Sequence, residues 1–182
     1  MLTIPAITLW QPWASWIAVG LKTIETRGHQ RFRCLVGQVI AIHAGLRWDG
    51  HAYATAAAYR PVSALTLQEP VHGSVVALAR VRGFRELDAA DAPAALCPCG
   101  PGRYGLILEH VERLAVPQPA RSGQGIWRWQ VDDALTYVRD PDYPCGQFFE
   151  GKPGGDCQGD GHYLCRECMA WCPEDEADEQ EA

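Results

Sequence analysis

Residues 20–29 of the 182-residue chain read GLKTIETRGH, which places Lys22, Glu25 and Arg27 within six positions. A lysine, a carboxylate and a guanidinium so close together can serve amide hydrolysis. That reaction needs an activated water or nucleophile, charge stabilisation at the acyl oxygen, and a proton for the departing amine. A partly buried lysine near an arginine has its charged form disfavoured, which lowers its pKa toward the range of a general base. A neighbouring carboxylate opposes that shift and can itself hold the water. Lys22 and Glu25 are therefore the candidate catalytic pair, with base and electrostatic duties open between them. Arg27 does not give up its proton, so it is assigned to positioning a ligand. The plainer alternative is an ion pair that pins a strand edge.

The trio follows a tryptophan-rich segment, LWQPWASWI. Indole faces stack on bases, and a glutamine amide can both donate to and accept from a pyrimidine edge. Trp10, Gln11 and Trp13 are accordingly candidates for binding a substrate. The competing reading puts the tryptophans in the core and has Gln11 cap a backbone group. Trp16, at interior helical spacing, is assigned to the core. His43 is a further lining candidate at the end of an apolar strand.

A second set of reactive residues lies far downstream. Cys145, Cys157, Cys165 and Cys168 run as C-x11-C-x7-C-x2-C, with Cys172 one helical turn later. Four thiolates close a tetrahedral shell, which predicts a structural zinc; Asp142, His162 and Cys172 are substitute ligands. About forty residues rich in Gly, Pro and charge cannot build a core, so a metal would replace one. Cys97 and Cys99 are too closely spaced for the usual knuckle.

The elements that must hold these groups are legible in the pattern. AITLW (6–10) alternates as a strand; Pro12 begins a helix and Gly20 stops it. KTIETR, GQVIAIHA, GSVVALARVRGFREL, YGLILEHVERL and GIWRWQV supply further strands. WDGHAYATAAAYR is helical by propensity. DAADAPAALCPCGPG forms a short helix and a loop. Strands outnumber helices without βαβ alternation, which favours an α+β fold built on a closed or nearly closed mixed β-barrel with helices outside. The expected divisions are a domain over 1–139, a cysteine-rich zinc-binding segment over 140–173 and a disordered acidic tail over 174–182.

The net charge of −6 is unevenly spread. Residues 1–85 carry nine Lys/Arg against three acids, whereas the last nine residues hold six acids and no base. The first half can attract phosphate or carboxylate, but too modestly for a strong duplex-binding surface. No apolar run reaches membrane-spanning length and the start lacks a secretory signal, so the expected location is cytoplasmic.

LWQPWASWIAVGLKTIETR, then GQVIAIHAG, GRYGLILEHV and GIWRWQV, resemble the ASCH domain of the PUA-like superfold over about residues 4–132. The most specific element is G-x-K-x-x-E-x-R, formed by Gly20, Lys22, Glu25 and Arg27. The resemblance implies a small β-barrel with a cleft between its mouth and the helix after the first strand. PUA-like relatives such as the YTH and EVE domains hold a modified nucleobase in that cleft. Some small ASCH proteins hydrolyse N(4)-acylcytidines, and their proposed catalytic groups are the motif lysine, a threonine three residues on and a downstream glutamate. Lys22 matches the lysine, Glu25 takes the threonine position, and Asp88 and Asp91 lie in the downstream segment. The expected function is therefore a metal-independent amidohydrolase acting on a small modified nucleoside. The alternative is a non-catalytic module reading a modified base in RNA or DNA.

Overall fold

The computed structural model describes residues 3–65, 67 and 70–131. The alternating, β-prone opening forms β1 (Thr3–Gln11). A cis Gln11–Pro12 peptide then leads into α1 (Trp13–Ala18), where Ala14, Trp16, Ile17 and Ala18 are buried. Gly20 adopts φ +74°, a left-handed conformation that few other residues tolerate, and turns the chain into β2 (Ile24–Arg27). A 3-10 segment (Gln30–Leu35) precedes β3 (Val39–Trp48), and α2 (Ala52–Ala56) and α3 (Val62–Leu65) follow it. β4 (Ser74–Glu86) and β5 (Tyr104–Pro119) flank a 3-10 turn (Ala89–Asp91) and α4 (Ala92–Ala95). β6 (Ile126–Gln130) ends the described chain's regular structure.

The strands form one mixed six-stranded sheet in the order β2-β5-β4-β3-β1-β6. β1 and β3 run parallel, and every other neighbouring pair is antiparallel. Three register shifts between β4 and β5 and one between β3 and β4 bend the long central strands, as bulges do. Both faces are apolar. Ile7, Leu9, Ile40, Ile42 and Val81 pack with Ala14 and Ile17 of α1 and with Phe32 and Leu35 on one of them. Ile4, Ala6, Val39, Leu78, Leu114 and Trp129 form a second cluster from alternate positions. Each such buried aliphatic side chain is worth about 1.5–3 kcal/mol against exposure, so these clusters dominate the stability.

The expected mixture of strands and flanking helices is present, but barrel closure is corrected. The sheet stays open, with the four-residue β2 and the five-residue β6 as its edges. β6 pairs with Thr3–Ile7 at the start of β1, which leaves the end of β1 unpaired on that side. There Thr8, Leu9 and Trp10 face Glu25, Thr26 and Arg27 of β2 across a pocket.

Among the described residues no helix is long and apolar enough to cross a membrane. The cysteines assigned to zinc (Cys145, Cys157, Cys165 and Cys168), their substitutes Asp142, His162 and Cys172, and the divisions at 139/140 and 173/174 lie outside the described residues.

Candidate active site

The opening in the sheet is a pocket of about 300 Å³, lined by Thr8, Leu9, Trp10 and Trp13 on one side and by Lys22, Glu25, Thr26 and Arg27 on the other. Asp49, Cys97 and Arg103 complete it. β1 and α1 deliver the tryptophans, while the Gly20 turn and β2 deliver the charges.

Lys22 is only 2% exposed. Its Nζ donates to the carbonyls of Ile24 at 2.6 Å and Ala95 at 2.7 Å. The Glu25 carboxylate lies 3.6 Å away, and the ammonium sits 5.4 Å from the centre of the Trp13 ring. Burial lowers the lysine's pKa from its ordinary value of 10.5, and the negative charge of Glu25 partly opposes it. Two carbonyls take two of the amine's hydrogens. The remaining direction carries a third N–H in the charged form and a lone pair in the neutral form.

Glu25 is 6% exposed and lies between two cations, with its second oxygen 3.4 Å from Arg27 Nη2. The Arg27 guanidinium stacks over Phe32 at 4.3 Å, which fixes its plane. Its Nε and Nη2 are sealed from solvent and have no hydrogen-bond acceptor among the described residues.

Trp13 is held through its indole N–H, which donates to Asp49 at 2.9 Å. The other Asp49 oxygen accepts from the His51 backbone at 3.0 Å. Trp16 meets Trp13 edge-on at 5.0 Å, so the wall is braced from behind. Trp10 is 48% exposed at the rim, with the Arg47 guanidinium 5.3 Å from its ring.

Two of the proposed substrate contacts are placed elsewhere. Gln11 is fully buried; its amide donates to the Val71 carbonyl and accepts from Ser15 N–H at 3.1 Å, an otherwise free donor of the first turn of α1. Both ends of the amide are thus occupied by backbone. His43 is 1% exposed, with Nε2 against the Ala120 carbonyl at 3.0 Å and its ring edge-on to Trp127. Burial lowers its pKa. Neither side chain lines the pocket.

Asp88 and Asp91 also have structural partners. Asp88 accepts from Ala90 N–H at 2.8 Å, and Asp91 accepts from Asp88 N–H at 3.0 Å, forming a reciprocal cap. Asp91 further holds Arg85 through two hydrogen bonds of 2.6 and 2.7 Å, which keep its carboxyl below the usual range.

Besides Glu25, the acid that lines the pocket is Asp49, which sequence reasoning passed over as the start of an alanine-rich helix. Its signal was the Asp-Gly pair directly after an apolar strand, a turn that ends β3 at the pocket rim. Arg103 and Cys97 were also missed, because the loop that brings them in has no periodicity to read.

No protein-family model matches the chain, and no curated protein matches it. Among solved structures it is similar to the crystal structure of ASCH from Zymomonas mobilis, with 18% identity and a TM-score of 0.43. The match covers 74% of this chain and 87% of that one. Two point mutants of the same Zymomonas protein match with 19% and 18% identity and TM-scores of 0.42. Each of those matches covers 74% of this chain, and 87% and 89% of the two mutants.

Proposed function

We infer that this pocket belongs to an ASCH-type amidohydrolase that cleaves the acyl amide of N(4)-acylated cytosine nucleosides, giving cytidine and a carboxylic acid. The observation that carries the reading is a buried lysine beside a buried carboxylate in a tryptophan-walled pocket of about 300 Å³. That volume is at the small end of ligand sites and suits a flat base better than an extended polymer. Trp10 and Trp13, which both line the pocket, offer indole surface for stacking on it.

The chemistry follows from the third direction at Lys22, the one its two carbonyl partners leave over. As a neutral amine it can take a proton from water while its two hydrogens stay on the Ile24 and Ala95 carbonyls. Glu25 stabilises the ammonium that results. The water oxygen bonds to the acyl carbon, the C–N bond breaks, and the ammonium returns its proton to the departing exocyclic nitrogen. Water is consumed and an acid and an amine are produced, so no metal or redox partner enters the balance.

One observation favours a second reading, the non-catalytic reader of a modified base. Lys22 also staples β2 to the segment carrying Ala95, as a purely structural lysine would. Incubation with N(4)-acetylcytidine, followed by chromatography for cytidine, separates the two. Release of cytidine supports the enzyme. Tight binding of the modified nucleoside without turnover would establish the reader.

A further inference from the structure

We propose that Arg103, together with the open Nη1 edge of Arg27, forms an oxyanion subsite at the pocket mouth that takes a phosphate attached to the ligand. The inference deepens the amidohydrolase reading by naming the nucleotide, rather than the free nucleoside, as the preferred ligand.

Three cations (Lys22, Arg27 and Arg103) line the pocket against two acids, Glu25 and Asp49. Most of these charges have local partners. Lys22 is taken by two carbonyls and Glu25, and Asp49 by Trp13 and the His51 backbone. Arg103 is different: it is exposed at the rim, and among the described residues it has no carboxylate partner. Its backbone is nonetheless fixed. Arg103 N–H donates to Gly100 at 3.1 Å and its carbonyl accepts from Leu87 at 2.8 Å. The preceding Gly102 N–H is held by Glu86 at 2.6 Å. The guanidinium therefore extends from a pinned base.

Arg27 contributes a second donor. With Nε and Nη2 sealed and the plane clamped on Phe32, Nη1 is the nitrogen left open to a ligand. Glu25 offsets only one of the two flanking cations, Lys22 and Arg27. Size adds a separate constraint. A pocket of about 300 Å³ holds a base, so the sugar and its substituents must reach out toward the rim where Arg103 stands. A phosphate there meets two guanidinium groups, whose forked donors match its oxygens.

Titration calorimetry on the full chain tests this with cytidine, cytidine 5′-monophosphate and the dinucleoside monophosphate CpC. Hydrogen bonds to charged groups predict that the monophosphate binds about tenfold or more tightly than cytidine, with the gap shrinking as salt rises. Arg103→Gln should remove most of that gap, and Arg27→Lys, which keeps the charge but loses the fork, part of it. CpC matching the monophosphate would place a chain phosphodiester in the subsite; CpC matching cytidine would restrict it to the terminal phosphate. Equal affinity of monophosphate and cytidine overturns the subsite, as does a gap that survives both substitutions. A phosphate preference without cleavage of N(4)-acetylcytidine would keep the subsite and remove the amidohydrolase. Cleavage without the preference would do the reverse. Binding of none of the three ligands would overturn the subsite outright.

Discussion

At the Lys22 amine, burial and hydrogen bonding act in opposite directions. Burial disfavours the ammonium, while Glu25 and the two carbonyls favour it. The balance gives a testable sign. If neutral Lys22 is the base, kcat/KM should rise with pH through a midpoint below the ordinary 10.5. Removing the Glu25 charge removes an attraction that raises this pKa. Glu25→Gln should therefore shift the midpoint further toward acid, besides lowering the rate by about 10²–10⁴-fold. A midpoint that stays put or moves to alkaline pH would show that Lys22 is not the titrating base. Substituting Lys22 itself is less informative about chemistry. Lys22→Ala strands two buried carbonyls, at about 1–3 kcal/mol each, and should lower the denaturation midpoint as well as activity. The trio's charge was legible because three titratable residues after a tryptophan segment leave few alternatives. The carbonyl clamp was not, since Ala95 is 73 positions away. Gln11 was equally ambiguous, because an amide that suits a pyrimidine edge suits a backbone amide and carbonyl just as well.

Between elements, the position of Lys22 depends on the segment from Asp88 to Cys97. Thr23 N–H bonds the Ala94 carbonyl at 3.0 Å, so this segment backs the entry to β2 as a neighbouring strand would. The reciprocal Asp88–Asp91 cap closes the 3-10 turn Ala89–Asp91, which leads directly into α4 and so to the Ala95 carbonyl. Asp91→Ala should cost about 1 kcal/mol through the lost hydrogen bond to Asp88 N–H and reduce turnover by loosening the lysine clamp. Chemical denaturation and steady-state kinetics would check this; full activity at reduced stability would uncouple the cap from the site. His43 gives another test, on β3. Its folded pKa lies below 6.5, so as pH falls the unfolded chain gains its proton first. Stability should decline from about pH 6.5 down through the lower folded value, and His43→Gln should flatten that slope. The strands that hold these groups were readable because period-two alternation and Gly or Pro boundaries mark each one. Closure of the sheet was not. Whether two edge strands pair depends on where β6 stops along β1 and on the side chains standing between β1 and β2, neither of which is a local property of the sequence.

Across the whole molecule, the proposed chemistry lies at the sheet opening and the proposed zinc serves stability alone. Among the described residues, no cluster of His, Cys, Asp and Glu could hold a metal ion, and Cys34, Cys97 and Cys99 are free thiols. The proposed zinc ligands Cys145, Cys157, Cys165 and Cys168 come from a stretch with its own composition and spacing. A four-thiolate zinc is coordinatively closed, so it has no position for a reacting water and contributes folding free energy instead. The expectation is about one zinc per chain by elemental analysis of the purified 182-residue chain, lost in the double substitution Cys165→Ser and Cys168→Ser. Chelation should then alter the thermal unfolding profile while the rate on N(4)-acetylcytidine persists, since Lys22 and Glu25 do not use the metal. Protein purified without zinc would remove the metal from the account. Turnover that disappears on chelation, with the sheet still folded by circular dichroism, would place the metal in the chemistry. Lys22 would then be left as the staple that its two carbonyl bonds already describe.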